Sequence, residues 1–187
     1  MILASASPRR AHILTQLGIP FRTVVSHVDE TLAPGESAAA AAERLARAKA
    51  GEVAAREDLP VLAADTLVSC DDHILGKPAS TADARDMLRR LSGRTHEVVT
   101  GVCLVTRGGA HAAVDRTTVR FAPLSDDDIR WYVATGEPMD KAGAYHVDAR
   151  GALFVESVTG SPSNVAGLPV RVVLRLARDA GLAWGLP

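Results

Sequence analysis

Residues 59–68 read LPVLAADTLV. A stretch this β-rich and mostly apolar predicts a central strand covered on both faces, as in a parallel or mixed sheet. Asp65 and Thr66 interrupt it. An ionised carboxylate inside such a strand is costly unless it is paired, hydrogen-bonded or bound to a metal. At a strand's carboxyl end it would face the crevice where α/β sheets take their ligands. Two readings fit Asp65: a functional acid, or a structural one satisfied by loop N–H groups.

Outward from that strand the chain alternates between helix and strand patterns. Upstream, Met1–Ala4 predicts a short buried strand. Ser7 then reads as a helix N-cap and Pro8 as the first helical position, where its missing N–H costs nothing. Gly18 ends that helix, and Phe21–Val25 is a second strand candidate, followed by a polar loop carrying Asp29 and Glu30. The alanine-rich segment from Ser37 to about Glu57 is a strong helix signal. Downstream, a turn at Asp71–Asp72 leads to a short strand and then Gly76-Lys77-Pro78. Thr81–Leu91 predicts a helix stopped by Gly93. Thr95–Thr106 and Ala110–Phe121, flanking Gly108-Gly109, predict a long hairpin. Ser125 with Asp128 is a capping-box-like start to a helix reaching about Thr135, with Asp in place of the usual Glu. Gly151–Val158 predicts a late strand and Pro169–Ala180 a final helix. This mixture implies an α/β chain with a mixed sheet, read as one domain over residues 1–187.

The chain has 187 residues, 47% of them apolar and 23% charged, which is the composition of a soluble globular protein. A net charge of −1 provides no global basic field, so a nucleic-acid partner is not expected. Two cysteines, Cys70 and Cys103, are too few for a disulfide framework, which suits a reducing, cytoplasmic setting. The apolar run MILA is far too short for a signal peptide, and no run is long enough to span a membrane. Phosphate-loop, dinucleotide, HExxH and GxSxG motifs are all absent, and no Cys/His grouping suggests zinc.

What remains is a scatter of charges at the ends of apolar segments. Arg9 and Arg10 occupy the first turn of a helix, where the macrodipole disfavours cations. An anion bound in front of them would account for the placement, and so would two surface arginines with packed stems. Lys49 lies among alanines of the long helix, and Lys77 is flanked by a permissive glycine and a stiffening proline. Either lysine alone could be a surface charge, as Glu30 alone could be a solvated loop acid. The block TGEPMDKAGAYHVDARGALF adds Asp140, Lys141 and Asp148 in a long irregular stretch, and such stretches in compact domains are usually functional. Taken together, the cations suit phosphate oxygens and the carboxylates suit Mg²⁺ or Mn²⁺. That is the inventory for attack of water on a polyphosphate.

The motifs SASPRR (residues 5–10), VDE (28–30), AADT (63–66), GKP (76–78), SGRTHEVVTGV (92–102), TGEPMDKAGAY (135–145) and NVAGLPV (164–170) occur in order. In this the chain resembles the Maf-like proteins, which are nucleoside triphosphate pyrophosphatases. The resemblance implies a twisted mixed sheet flanked by helices, forming two lobes with a central cleft, related to the inosine-triphosphatase-like enzymes. It implies hydrolysis between the α and β phosphates, with a divalent cation, in the removal of non-canonical or excess nucleotides. By position, Asp65 matches the family's proton acceptor, while Ser5, Arg10, Glu30, Lys49 and Lys77 match phosphate- and metal-binding positions. Glu30 and Asp65 would hold the metal, and Arg9, Thr66 and Asp148 match positions tied to base specificity. Arg9 and Thr66 agree with the branch acting on dTTP and UTP. Asp148 departs from it, because that branch carries Gln within AGAYGIQG where this chain reads AGAYHVDA. A glutamine both donates to and accepts from a base edge, whereas an ionised aspartate only accepts. The family precedent also makes a homodimer reasonable. A competing reading is a non-enzymatic nucleotide- or nucleic-acid-binding regulator of septum formation, which the acids beside the cations argue against.

Overall fold

The computed structural model describes residues 1–184. Its strands are β1 (Ile2–Leu3), β2 (Arg22–Thr23), β3 (Val61–Cys70), β4 (His73–Leu75), β5 (Thr95–Thr106), β6 (Gly109–Phe121) and β7 (Val155–Thr159). Its α-helices are α1 (Pro8–Gln16), α2 (Ala38–Ala54), α3 (Thr81–Leu91), α4 (Asp126–Ala134), α5 (Pro162–Val165) and α6 (Val170–Asp179). The sheet runs in the order β2-β1-β3-β5-β6-β7, with β4 also paired to β3. β1 is parallel to both β2 and β3, whereas β4 on β3 and β7 on β6 are antiparallel. A mixed sheet flanked by helices is therefore the architecture, as the alternating pattern predicts.

The chain divides into two compact units. The first comprises residues 1–65, 100–115 and 167 onward, and the second residues 66–99 and 116–166. In the first, strand alternation sorts the core into two layers. Ile2, Val61, Ala63 and Cys103 pack with Ala46, Ala50 and Val53 of α2. Leu3, Leu62, Ala64, Val102 and Leu104 pack with Leu14 of α1 and with Val172, Val173 and Leu176 of α6. The alanines of α2 do more than favour a helix. A Cβ on Gly101 of β5 would stand 2.2 Å from the Ala42 carbonyl oxygen, so helix and strand touch backbone to backbone there. The second unit has its own core, in which α3 and α4 supply Leu88, Leu91, Ile129 and Tyr132 against Val98, Phe121 and Phe154.

Local signals account for the element ends. Ser37 and Ser80 cap α2 and α3 through their hydroxyls. At α4 the box is complete, with Ser125 Oγ accepting from Asp128 N at 3.2 Å and Asp128 Oδ2 from Ser125 N at 2.9 Å. Ser7 occupies the N-cap position of α1, but its side chain makes no capping bond. The structure departs from expectation in several places. The hairpin turns at Arg107–Gly108, one residue early. Arg150–Phe154 forms a 3₁₀ turn, so the late strand begins only at Val155. The four-residue α5 has too few residues to show a periodicity.

Candidate active site

Asp65 closes the series Val61, Ala63, Asp65, and alternation directs it to the sheet face covered by α2. On α2, Lys49 lies three residues from Ala46, on the face that packs against the sheet. The two side chains meet there: Lys49 Nζ donates to Asp65 Oδ1 at 2.6 Å. Both are nearly excluded from solvent, with side-chain exposures of 9% and 8%. The same ammonium reaches Glu30 Oε1 at 2.8 Å, and that carboxylate is 55% exposed. One cation is thus shared by an interior acid and a solvent-facing one. The partner of Asp65 here is a lysine side chain.

Arg10 stands in the same electrostatic neighbourhood. Burial pushes its guanidinium down from the ordinary value, the negative charges of Asp65 and then Glu30 act in the opposite direction, and Arg9 adds to the lowering. Its orientation is imposed by two acceptors. Nε donates to the Gly167 carbonyl at 2.7 Å and one terminal nitrogen to Ser5 Oγ at 3.2 Å. Ser5 is buried and its hydroxyl also accepts from Ser7 N at 3.1 Å. SASPRR is therefore an internally braced turn, with Ser5 as the brace and Arg10 pinned from the far end of the sequence.

The loop bearing Glu30 is fixed by residues that pattern reading does not single out. Arg44, on α2, grips Glu36 through Nε at 2.8 Å and a terminal nitrogen at 2.7 Å, and that terminal nitrogen also donates to the Thr31 carbonyl at 3.1 Å. The Arg44 hydrogen bonds hold the Glu36 carboxyl down at about 2. Asp29 accepts from both the hydroxyl and the N–H of Thr31, at 2.6 and 2.9 Å, and those bonds lower its carboxyl as well. Glu36 precedes the Ser37 cap and so lies outside the helix that carries Arg44, and no helical periodicity announces the clamp.

Thr66, Lys77 and Asp148 belong to the second unit. Lys77 is exposed while Pro78 beside it is buried. The Gly76 carbonyl accepts from Gly143 N at 3.0 Å. Gly143, at φ +68°, could not carry a side chain, because its Cβ would come 2.9 Å from Val68 Cγ2. The hydrogen bond from Gly143 to Gly76 joins the GKP and DKAGAY segments, and the close approach sets Gly143 against Val68 of β3. Burial would raise the Asp140 carboxyl, but the hydrogen bond from Lys141 and the charges of Lys141 and Lys77 lower it overall. Asp148 is exposed on a turn. Asn164, in the motif NVAGLPV, is fully buried, and its amide donates to the Val98 carbonyl and to Thr117 Oγ1, both at 2.9 Å.

Among the described residues no group of three or more His, Cys, Asp and Glu side chains could hold a metal. Glu30 and Asp65 still suit Mg²⁺ or Mn²⁺, since such ions commonly take one or two carboxylates and complete their shell with water and substrate phosphates. Both oxygens lie within hydrogen-bonding distance of one ammonium, so they converge on a single cationic position. No helix among the described residues is long and apolar enough to cross a membrane.

Comparison with known proteins places the chain in a family. The profile described as Maf-like protein matches residues 1–180. The chain is 50% identical over 182 residues to the dTTP/UTP pyrophosphatase of Symbiobacterium thermophilum, covering 97% of this chain and 94% of that one. It is 50% identical over 194 aligned positions to the dTTP/UTP pyrophosphatase of an Anaeromyxobacter species, covering 100% and 93%. The Ham1 protein of Staphylococcus aureus shares the fold at 14% identity, with a TM-score of 0.52 over 96% of this chain and 97% of that one. With a family match through both compact units and half of all residues shared with full-length relatives, the chain belongs to the Maf-like protein family.

Proposed function

We propose that the protein hydrolyses nucleoside triphosphates between the α and β phosphates, releasing the monophosphate and pyrophosphate. The observation that carries this reading is the ammonium of Lys49 held between buried Asp65 and exposed Glu30, beside the braced guanidinium of Arg10. Asp65 accepts the proton of a water that attacks the α-phosphorus, and the bond to the bridging oxygen breaks as pyrophosphate departs. Arg10, Lys49 and Lys77 offset the charge that builds on the leaving group, with Ser5 keeping Arg10 in place. Glu30 and Asp65 would hold Mg²⁺ or Mn²⁺, which when bound neutralises phosphate oxygens and acidifies coordinated water.

Arg9, Thr66 and Asp148 are assigned to the base, and the names of the relatives support dTTP and UTP as substrates. Asp148 stands where the dTTP/UTP branch carries Gln, so Asp148→Gln should raise activity on those two relative to other nucleotides; an unchanged ranking counts against the assignment. Residues 1–187 act as one functional domain, a reading supported by the continuous family match. A cytoplasmic setting is supported by Cys70 and Cys103, both unpaired thiols, and a homodimer remains part of the proposal. The test is pyrophosphate release from a panel of canonical and modified triphosphates with Mg²⁺ or Mn²⁺. Asp65→Asn should lower kcat by roughly 10²–10⁴-fold, the usual worth of a positioned proton acceptor. Near wild-type turnover in that variant would refute the mechanism, and direct release of inorganic phosphate would refute the reaction.

A further inference from the structure

We infer that Tyr132 and Glu137 are positioning residues that hold the loop of residues 146–151 for base selection, an inference that rests on the proposed pyrophosphatase activity. Tyr132 is fully buried on α4. Its hydroxyl donates to Glu137 Oε1 at 2.9 Å and accepts from His146 N at 2.9 Å. Glu137 Oε1 also accepts from Gly151 N at 3.1 Å, and Oε2 accepts from Arg150 N at 3.3 Å. One phenol and one carboxylate therefore tie down both ends of a six-residue loop. Between the ties, the turn at Val147–Asp148 leaves Asp148 exposed.

The couple itself is braced. Thr135 Oγ1 donates to the Tyr132 carbonyl at 2.6 Å and accepts from Glu137 N at 3.2 Å, which sets the carboxylate one turn beyond the helix. The approach is close enough to require glycine at 151. A Cβ there would stand 2.7 Å from the Tyr132 hydroxyl and 2.6 Å from the His146 carbonyl oxygen. Glu137 has only 14% of its side chain exposed, yet the proposed chemistry gives it no phosphate, metal or proton to handle. Among the described residues its side-chain partners are Tyr132 and residues at the end of this loop. A carboxylate is the right group, because every partner is a donor and an ionised carboxyl is an acceptor at both oxygens. A glutamine would turn an N–H toward the N–H of Arg150 or Gly151.

The experiment compares kcat and KM for dTTP and for a purine triphosphate in the wild type, Glu137→Gln, Tyr132→Phe and Asp148→Ala. Loss of one charge-assisted tie should change the ratio of kcat/KM between the two nucleotides by roughly tenfold. The change should appear in KM, with kcat for the better substrate held within about twofold, since the reacting groups are untouched. The ratio should move in the same direction as in Asp148→Ala. If both tie variants keep the wild-type ratio while Asp148→Ala alters it, the inference falls and the proposed function stands. A uniform fall in kcat for every nucleotide also overturns it, because that is the mark of structural support alone. A wild-type protein that releases no pyrophosphate from any nucleotide overturns both.

Discussion

Replacing Lys49 by Met tests whether the charge triad at the site is an interior ion pair or a surface one. Methionine keeps a straight apolar stem of good helix propensity, so α2 and its alanine face should be undisturbed. What is lost is the 2.6 Å contact to Asp65, between side chains only 9% and 8% exposed. Removing one partner of a buried pair costs about 3–5 kcal/mol, because the other charge is left desolvated. The link to Glu30, an acid 55% exposed, adds no more than about 0–1 kcal/mol. Arg10 remains as a second positive charge acting near Asp65, which places the expected loss at the lower end, about 3 kcal/mol. For a chain of this length that corresponds to a fall in Tm of roughly 6–12 °C. Urea titration followed by far-ultraviolet circular dichroism, without divalent cations, measures it directly. The double variant Lys49→Met/Asp65→Leu removes both charges and should recover to within about 1 kcal/mol of wild type. A single variant less than about 1 kcal/mol below wild type, or a double variant less stable than the single, would refute the reasoning.

Other consequences follow from the same geometry. Gly101→Ala forces a methyl to 2.2 Å from the Ala42 carbonyl oxygen and should destabilise by about 3 kcal/mol or more through displacement of α2; a Tm within 2–3 °C of wild type would show that the helix can yield. His96 is pushed down to about 4 by burial, against about 6.5 when unfolded. The unfolded chain therefore binds more protons between those values. The stability this histidine contributes is complete above pH 6.5 and is lost as pH falls toward 4, by about 3 kcal/mol. Urea midpoints across that range should fall steeply in wild type and less so in His96→Gln; parallel curves would exclude His96 as the cause. Arg44→Ala releases Glu36 and Thr31 and so loosens the loop bearing Glu30. It should raise the Mg²⁺ concentration needed for half-maximal stabilisation in a thermal titration by several-fold, and an unchanged requirement would separate the clamp from the metal site.

The order and type of the strands, and of every α-helix except the four-residue α5, were legible because each rests on a local signal. The serine caps of α2, α3 and α4 and the apolar run of β3 are written within a dozen residues of where they act. The irregular segment around residues 135–154 was legible only as irregular. Its 3₁₀ turns are stabilised by Tyr132, Glu137 and a close-packed Gly143, none of which leaves a periodic trace. The residue types of the site were also legible in part. An aspartate in an apolar strand and a lysine among alanines are each anomalies against their surroundings, and the two turn out to satisfy one another.

Sequence alone determined which side chains could do phosphate chemistry and which elements carry them, since helix and strand periods and capping are one-dimensional properties. Tertiary structure alone decided who meets whom. Lys49 finds Asp65 because Gly101 lets α2 lie against the sheet in one phase, presenting residue 49 to the face of residues 61, 63 and 65. Arg10 is steered by a carbonyl 157 residues away, and the loop bearing Glu30 is clamped by Arg44 through Glu36 and the Thr31 carbonyl. Such pairings depend on close packing between distant segments. A polar group carries a need for a partner in its own chemistry, but the partner's identity is set by whichever segment the fold brings within about 3 Å.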